Sequence, residues 1–406
     1  MAIYDLVIIG GGPAGLAAGI YGSRARLKTL IIEKAAVGGQ AFTTREIVNY
    51  PGFSQGYSGP QIMKAMADHA AQFGAEIVKD EVVDVDFTGE IKEINLKKGG
   101  RHQARSVILA VGAQPRLLNI PGERKFRGMG VSYCATCDAE FYEDLDVVVV
   151  GNGDAAIEEA IYITKFARRV TVIVIHDPGV VDCNRASAEK AFSNEKIEFM
   201  WNSVLSEIKG GQEVDAVVVK NLKTGVLTEI PASGVFIYVG MVPGTGFLKG
   251  RVDLDERGYI KTGERMETSV EGVFAAGDAR VKYLRQVVTA ANDGAVAAVS
   301  AEGYLTEQED FRQQVLNADR SVLLSFWSPA CEESINLLTV LEKIATEMGR
   351  RYRLVKVDFS RKKIAAQKYG IKNVPAVLLL SEGEVCLDLS DKLDYDSLTR
   401  SLQSKN

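Results

Sequence analysis

The sequence predicts an α/β protein with two three-layer nucleotide-binding domains and a smaller α/β domain behind them. A glycine-rich turn joins an apolar strand to a helix near the N-terminus, and a second such turn begins at Gly151, 141 residues after Gly10. The last 96 residues alternate strand and helix patterns of a different character. A length of 406 residues suits two or three domains. With 46% apolar and 25% charged residues the chain has ordinary globular composition, not that of a disordered, collagen-like or disulfide-stapled protein. Lys and Arg number 48 against 53 Asp and Glu, a net charge of −5 with no basic run, which argues against nucleic-acid binding. The longest apolar stretch, 6–22, contains six glycines and a proline. It is shorter than the ~20 residues of a membrane span, so no membrane role is expected. No basic n-region precedes the first strand, so the cytoplasm is the expected compartment.

Residues 2–9 form a buried β-rich run with Ile3, Leu6, Val7, Ile8 and Ile9. Gly10-Gly11-Gly12-Pro13-Ala14-Gly15 follows and opens a helix over 16–24. In this G-x-G-x-x-G, Gly10 permits the tight turn, Gly12 the approach of a pyrophosphate and Gly15 the packing of helix on sheet. The helix N-terminus adds free N–H groups and a partial positive charge. The next strand, 28–32, leads to Glu33, 18 residues past Gly15, where a carboxylate can hold a ribose hydroxyl. A glycine-rich turn alone says little. Strand, turn, helix, strand and acid in this order point to a dinucleotide site of the Rossmann type.

The pattern recurs. The strand 146–150 runs into Gly151-Asn152-Gly153-Asp154-Ala155-Ala156, then a helix over 157–166 and a strand over 170–175. Two such units imply two dinucleotides, one donating electrons to the other, and a flavin beside a nicotinamide is the usual pairing. A carboxylate at the end of the second strand favours NAD, whereas arginine there favours NADP. Asp177 lies 24 residues after Gly153, and no arginine appears until Arg185, so NADH is favoured over NADPH. The competing reading is that Asp177 only begins an Asp-Pro-Gly turn.

Five cysteines (Cys134, Cys137, Cys183, Cys331, Cys386) are too few for a secreted disulfide framework. Only Cys134-Ala135-Thr136-Cys137 is a close pair. Such a pair can close a small disulfide and exchange through a thiolate, and Asp138 beside it can return a proton to a departing thiolate. Two small core residues or half a zinc knuckle are the alternatives. His69, His102 and His176 lack metal-ligand spacing, so no metal is expected.

Over residues 1–305 the chain resembles the low-molecular-weight, bacterial-type thioredoxin reductases, within the pyridine nucleotide-disulfide oxidoreductase type of fold. The resemblance rests on Gly38-Gly39-Gln40, Asn49-Tyr50-Pro51-Gly52, Ala110-Val111-Gly112-Ala113, Ile120-Pro121-Gly122-Glu123, Cys134-Ala135-Thr136-Cys137-Asp138, 268–279 with Gly277-Asp278, and Arg285-Gln286. It implies an FAD domain split over 1–116 and 245–305, with an NAD(P)H domain, 117–244, inserted. FAD would contact Gly10, Gly12, Pro13, Ala14, Gly15, Glu33, Gly39, Gln40, Asn49, Ala110, Gly112, Gly277, Asp278, Arg285 and Gln286. The nicotinamide nucleotide would contact Gly151, Gly153, Asp154, Ala155 and Asp177. Cys137 would face the flavin, Cys134 would attack the external disulfide, and Asp138 would be the general acid. A homodimer and a rotation of the inserted domain are implied as well, with a thioredoxin-like protein or a low-molecular-weight disulfide as substrate. The family's His-Arg-Arg run is replaced here by Ile175-His176-Asp177, which puts NADPH use in doubt, although Arg185 offers partial compensation.

Residues 302–310 are polar and acidic, with 306–310 expected as a linker. A helical start over 311–317 then leads to a strand at 321–326, a helix at 331–348, a strand at 354–358, a helix at 362–369, strands from 374 and at 384–389, and a helix at 395–403. Over 311–406 this order resembles a thioredoxin fold lacking its first strand. Cys331 would be the attacking thiol at a helix N-terminus, and Pro375 a cis-proline beside it. Ser334 stands in place of the resolving cysteine, Ala330 in place of a tryptophan, and Ser325 in place of a buried aspartate. Glu332 and Glu333 oppose the thiolate. Cys331 without a resolving thiol can form mixed disulfides but cannot release them by internal attack, and Cys386 is a poor substitute. The domain is expected to be a tethered electron relay, with a non-catalytic client-binding module as the alternative. For the whole chain a non-pyridine donor such as ferredoxin is the rival to NAD(P)H.

Overall fold

The structure is a computed structural model that describes residues 3–44, 47, 49–53 and 57–404. Ala2, the expected start of the first strand, and residues 405–406 of the expected last domain lie outside them. The first strand is Ile3–Ile9. Successive side chains of a strand point to opposite faces, so Leu6 and Ile8 pack with Leu16 and Ala18 of the following helix, whereas Val7 and Ile9 pack with Val107 and Leu109 on the other face. An apolar run with no polar alternation is what a strand covered on both faces requires. It lies centrally in a sheet ordered Glu76–Lys79, Thr29–Glu33, Ile3–Ile9, Arg101–Leu109, Lys92–Leu96, Val82–Asp86. Val273–Ala275 pairs in parallel with the last residues of Arg101–Leu109. The C-terminal ends of these parallel strands therefore lead together into Gly10, Ala110 and Gly277.

The inserted domain repeats the plan with an all-parallel sheet ordered Ile197–Met200, Arg169–Ile173, Asp146–Val150, Gly234–Ile237, Val131–Ser132. An antiparallel three-stranded sheet, Ser203–Gly210, Val214–Asn221 and Leu227–Pro231, covers one side. The two passages between the domains run side by side, because Ala113–Pro115 pairs antiparallel with Met241–Pro243. Both nucleotide-type turns begin as expected, but their helices start earlier than the apolar pattern suggests, at Pro13 and at Asp154. Helix-opening residues face the turn, not the core, so hydrophobic periodicity does not reveal them.

The segment 306–310, expected as a linker, is helical. A 25-residue helix, Val287–Phe311, runs through it and ends in a single π turn, Arg312–Leu316. The helix packs Ala290, Ala297, Ala298 and Ala301 into the first domain, and its last residue Phe311, with Val315 and Leu316 of the π turn, packs into the last. Polar, acidic composition described the solvent face of a helix here, not a break in structure. The last domain has a four-stranded sheet ordered Tyr352–Asp358, Ser321–Trp327, Ala376–Ser381, Glu384–Asp388. The helices Glu332–Glu347 and Tyr395–Gln403 pack on one face, through Leu337, Leu341, Leu398 and Leu402. Among the described residues no helix is long and apolar enough to cross a membrane.

Candidate active site

A cavity of about 1330 Å³ opens where the first sheet's strands end. The sequence folds the first turn this way because Gly10 has φ +110° and a Cβ at Gly15 would lie 1.8 Å from the Gly10 carbonyl oxygen. Gly10, Gly12, Pro13, Ala14, Glu33, Gly39, Gln40, Ala110 and Gly112 line the cavity from one side, and Gly277, Asp278, Arg285 and Gln286 from another. Glu33 is buried at the end of its strand, where its two oxygens accept from the backbone N–H groups of Gly11 (2.7 Å) and Ala35 (2.8 Å). Gly15 lies behind this wall in the helix, and Asn49 reaches the site by donating to Gln286 Oε1 at 3.2 Å.

Asp278 supplies a test of cofactor fit. Its Oδ1 is buried, has no hydrogen-bond partner and belongs to a residue lining the cavity. Burial pushes this carboxyl up from its ordinary range, against the pull of Lys282 and Arg285. A buried oxygen left without a donor carries a cost of about 1–3 kcal/mol, and a ligand hydroxyl would remove it. Behind it, buried Asp293 accepts from the Gly277 N–H (3.1 Å), Arg280 (2.8 Å) and Lys282 (2.7 Å), which fixes the loop. The cradle fits a dinucleotide such as FAD.

The redox pair closes the same cavity. Cys134 and Cys137 form a disulfide, with Cα atoms 5.3 Å apart, at the head of the short helix Ala135–Asp138. Both cysteines and Asp138 line the cavity. Two side chains from the first domain hold the pair there. Gln286, at the head of the long helix, donates to Thr136 Oγ1 at 2.9 Å and lies 3.7 Å from Cys134 Sγ and 3.9 Å from Cys137 Sγ. Gln40 accepts from Arg127 at 2.7 Å. The sequence marks Gln286 and Gln40 only as cofactor contacts. Their bonds across the domain boundary, and the part played by Thr136 and Arg127, have no sequence signal, because the two segments are distant along the chain.

Asp138 sits beside the disulfide with its carboxyl buried and bonded to Ser132. Burial raises its carboxyl above the ordinary carboxylate range, partly offset by a 2.5 Å hydrogen bond donated by Ser132 Oγ. Ser132 also accepts from the Cys134 N–H at 3.1 Å, so one hydroxyl ties the acid to the disulfide. An acid with a raised pKa stays protonated to higher pH, and its contribution is lost as pH rises through that value. Asp138→Asn is expected to slow thiolate release by roughly 10²–10³-fold. Ser132→Ala removes the bond that lowers this pKa, so the alkaline limb of the disulfide-exchange rate should move to higher pH. A pH profile of single-turnover exchange checks both, and an unmoved limb in Ser132→Ala would count against this role.

The second nucleotide turn lies apart from this cavity, which only Ala155 of its expected contacts lines. Gly151 has φ +134°, and a Cβ there would lie 2.5 Å from the Tyr238 carbonyl oxygen. Gly153 faces open space at the head of the helix Asp154–Ile163. Asp154 accepts from the Asn184 backbone N–H at 2.7 Å. Asp177 is exposed and paired with Lys223, which holds its carboxyl below the usual range. Asp182 bonds His176 (3.0 Å) and Asn152 (2.9 Å). Arg185 turns to Glu189 at 2.8 Å and is 92% exposed. Between the two sites, Glu159 and Tyr238 each leave a buried oxygen without a partner on the cavity wall, a feature the sequence reading missed. Both derive from burial, which a single helical Glu and a strand-end Tyr do not announce.

In the last domain Cys331 caps the helix Glu332–Glu347, its Sγ 3.8 Å from the Val374 carbonyl, and the Val374–Pro375 peptide is cis. Ser334 is buried and donates to the Cys331 carbonyl at 2.7 Å. Ser325 is fully buried with an unpartnered hydroxyl. Cys386 lies on the outer strand between Val385 and Leu387, which pair with Leu380 and Leu379. That is about three to four residues, on the order of 10–13 Å, along the sheet from Ala376, which follows Pro375. Among the described residues no group of three or more His, Cys, Asp or Glu is placed to hold a metal ion.

Comparison with known proteins agrees with this geometry. The pyridine nucleotide-disulphide oxidoreductase model matches residues 4–294 and the thioredoxin model residues 303–404. The chain is 51% identical over 311 residues to a thioredoxin reductase of Peptoclostridium litorale, covering 75% of this chain and 98% of the relative. It is 34% identical over 424 residues to a bifunctional thioredoxin reductase/thioredoxin of Mycobacterium leprae (strain TN), covering 94% of this chain and 92% of that one. A solved thioredoxin reductase from Streptococcus pyogenes MGAS5005 superposes with a TM-score of 0.72 at 43% identity, over 75% of this chain and 99% of that structure.

Proposed function

We propose that this chain, which belongs to the pyridine nucleotide-disulphide oxidoreductase family and is a flavin-dependent disulfide oxidoreductase, is a thioredoxin reductase driven by NADH in preference to NADPH. The observation that supports this best is the shared cavity: the Cys134–Cys137 disulfide and the unpartnered Asp278 oxygen line the same space. The Gly10–Ala14 turn, Glu33, Gln40, Asp278 and Arg285 would hold FAD, which when bound would supply the two-electron chemistry between a nicotinamide donor and that disulfide. Once reduced, Cys134 attacks the substrate disulfide, Cys137 attacks Cys134 to release the substrate thiolate, and Asp138 gives that thiolate its proton. The disulfide is enclosed beside Gln286 in this arrangement, so substrate access requires the inserted domain to turn about the paired strands Ala113–Pro115 and Met241–Pro243.

NADH preference follows from charge. Asp177, four residues past the strand Arg169–Ile173, and Asp182, bonded to His176, present carboxylates where a 2′-phosphate would require cations, and Lys223 is already paired with Asp177. The substrate is a thioredoxin-like protein or a small disulfide, and the working unit is a homodimer. The last domain serves as an electron relay through Cys331. Ser334 in place of a resolving thiol favours a second reading, a client-binding module. Turnover with a thioredoxin under NADH and under NADPH tests the main reading. Failure of both nucleotides to reduce the protein would instead point to a donor such as ferredoxin. Unchanged turnover in Cys331→Ser would select the binding module.

A further inference from the structure

The attachment of the thioredoxin domain decides which dithiol it can use. The helix Val287–Phe311 begins at the redox pair, where Gln286 touches Cys134, and runs ~37 Å to the tail without interruption. Its end is built into the tail's own core through Phe311, Val315 and Leu316. No flexible segment separates the two domains. A linker that cannot span two sites gives an effective concentration near zero, however short it is.

Side-chain bonds pin the tail as well. The Ile364 N–H donates to Glu271 Oε2 at 3.0 Å, and Glu271 Oε1 accepts from Gln308 at 2.9 Å. Lys362 pairs with Glu307 at 3.1 Å and Arg312 with Glu90. Lys362 and Ile364 follow Asp358, which pairs with Trp327 at the same end of the tail sheet that leads to Cys331. This end is therefore fastened beside Glu271, six residues and ~20 Å of extended chain from Gly277 at the cavity. Around Cys331, however, Pro329, Ala330, Glu332 and Glu333 are exposed.

We propose that electrons pass between chains: Cys331 of one copy is served by the Cys134–Cys137 dithiol of a second copy, not by its own. This rests on the thioredoxin reductase reading above. Ser334 leaves Cys331 without an internal resolving thiol, so a mixed disulfide at Cys331 needs an outside dithiol, and the uninterrupted helix keeps the tail from swinging to the one on its own chain. The substrate class is a mixed disulfide of Cys331 with a thiol compound, RSH. Cys134 thiolate of the second copy attacks Cys331 Sγ and RS⁻ leaves, taking a proton. When the attack falls instead on the other sulfur, the RS group is carried on Cys134 as a mixed disulfide and Cys331 leaves directly as its thiolate. In either order Cys137 then attacks Cys134, the Cys134–Cys137 disulfide re-forms, and the departing thiolate takes its proton from Asp138. Two electrons leave the dithiol, and Cys331 and RSH are both recovered as thiols.

The test is a holoenzyme carrying Cys137→Ser, Cys183→Ser and Cys386→Ser, which retains only Cys134 and Cys331. After oxidation with diamide, non-reducing electrophoresis and peptide mapping locate the bond. The expected product is a Cys134–Cys331 link joining two chains of 44.1 kDa each, lost when Cys331→Ser is added. A Cys134–Cys331 bond within one chain, or two thiols that never pair with each other, would overturn the proposal. If this variant loses its flavin colour, Cys331→Ser holoenzyme is mixed with a Cys134→Ser/Cys137→Ser/Cys183→Ser/Cys386→Ser chain whose remaining thiol, Cys331, carries thionitrobenzoate. Release of the chromophore on adding NADH supports transfer between chains, and no release refutes it. Reduction of a separate thioredoxin by the unaltered enzyme reports independently on the thioredoxin reductase reading.

Discussion

Cys137→Ser protein is expected to bind FAD normally and yet to lose nucleotide-driven disulfide reduction by roughly 10³-fold or more, as expected when one member of a catalytic unit is removed. The reason lies in the two-step exchange. Cys134 can still attack a substrate disulfide, but no neighbouring thiol remains to attack Cys134 and free the product. A stoichiometric Cys134–substrate adduct should therefore accumulate. The flavin site should be intact, because the cradle residues Gly10, Glu33 and Asp278 lie on other elements. Mass spectrometry of the stalled protein with a thioredoxin-like substrate checks the adduct, and continued turnover by Cys137→Ser would contradict the assignment.

The second large effect is nucleotide choice. A charge-assisted bond to a 2′-phosphate is worth about 1.5–3 kcal/mol, and each 1.4 kcal/mol is about tenfold. The carboxylates of Asp177 and Asp182, in the loop after the strand Arg169–Ile173, offer repulsion where that bond is needed. NADH is thus expected to exceed NADPH by roughly 10–100-fold in kcat/KM for flavin reduction. Introducing His176→Arg with Asp177→Arg should reverse much of this by adding cations and freeing Lys223. Stopped-flow bleaching with each nucleotide measures both. Parity between the nucleotides in the unaltered protein would refute the electrostatic argument.

Much of this was legible in sequence because it depends on local geometry. The turns at Gly10 and Gly151, their flanking strands and the Cys134–Cys137 pair all lie within short stretches whose chemistry is fixed by spacing. What escaped was long-range. Gln286 is 152 residues from Cys134 and nothing in either segment predicts their contact. Ser132 reads as one more small residue before the cysteines until its hydroxyl is seen on Asp138. Residues 306–310 misled in a different way, because acidic composition marks solvent exposure and does not distinguish a helix surface from a linker. A helix through 306–310 denies the tail domain the reach that a flexible linker would give it, since tethering helps only where the connection bends.

The central claim is that electrons from the nicotinamide arrive at the thiols of Cys134 and Cys137. Anaerobic titration of the purified yellow protein with NADH, followed by alkylation and mass spectrometry of the peptide carrying both cysteines, tests it most directly. The account predicts two added alkyl groups on that peptide after reduction and none before. A flavin that bleaches while the peptide stays unalkylated would contradict it.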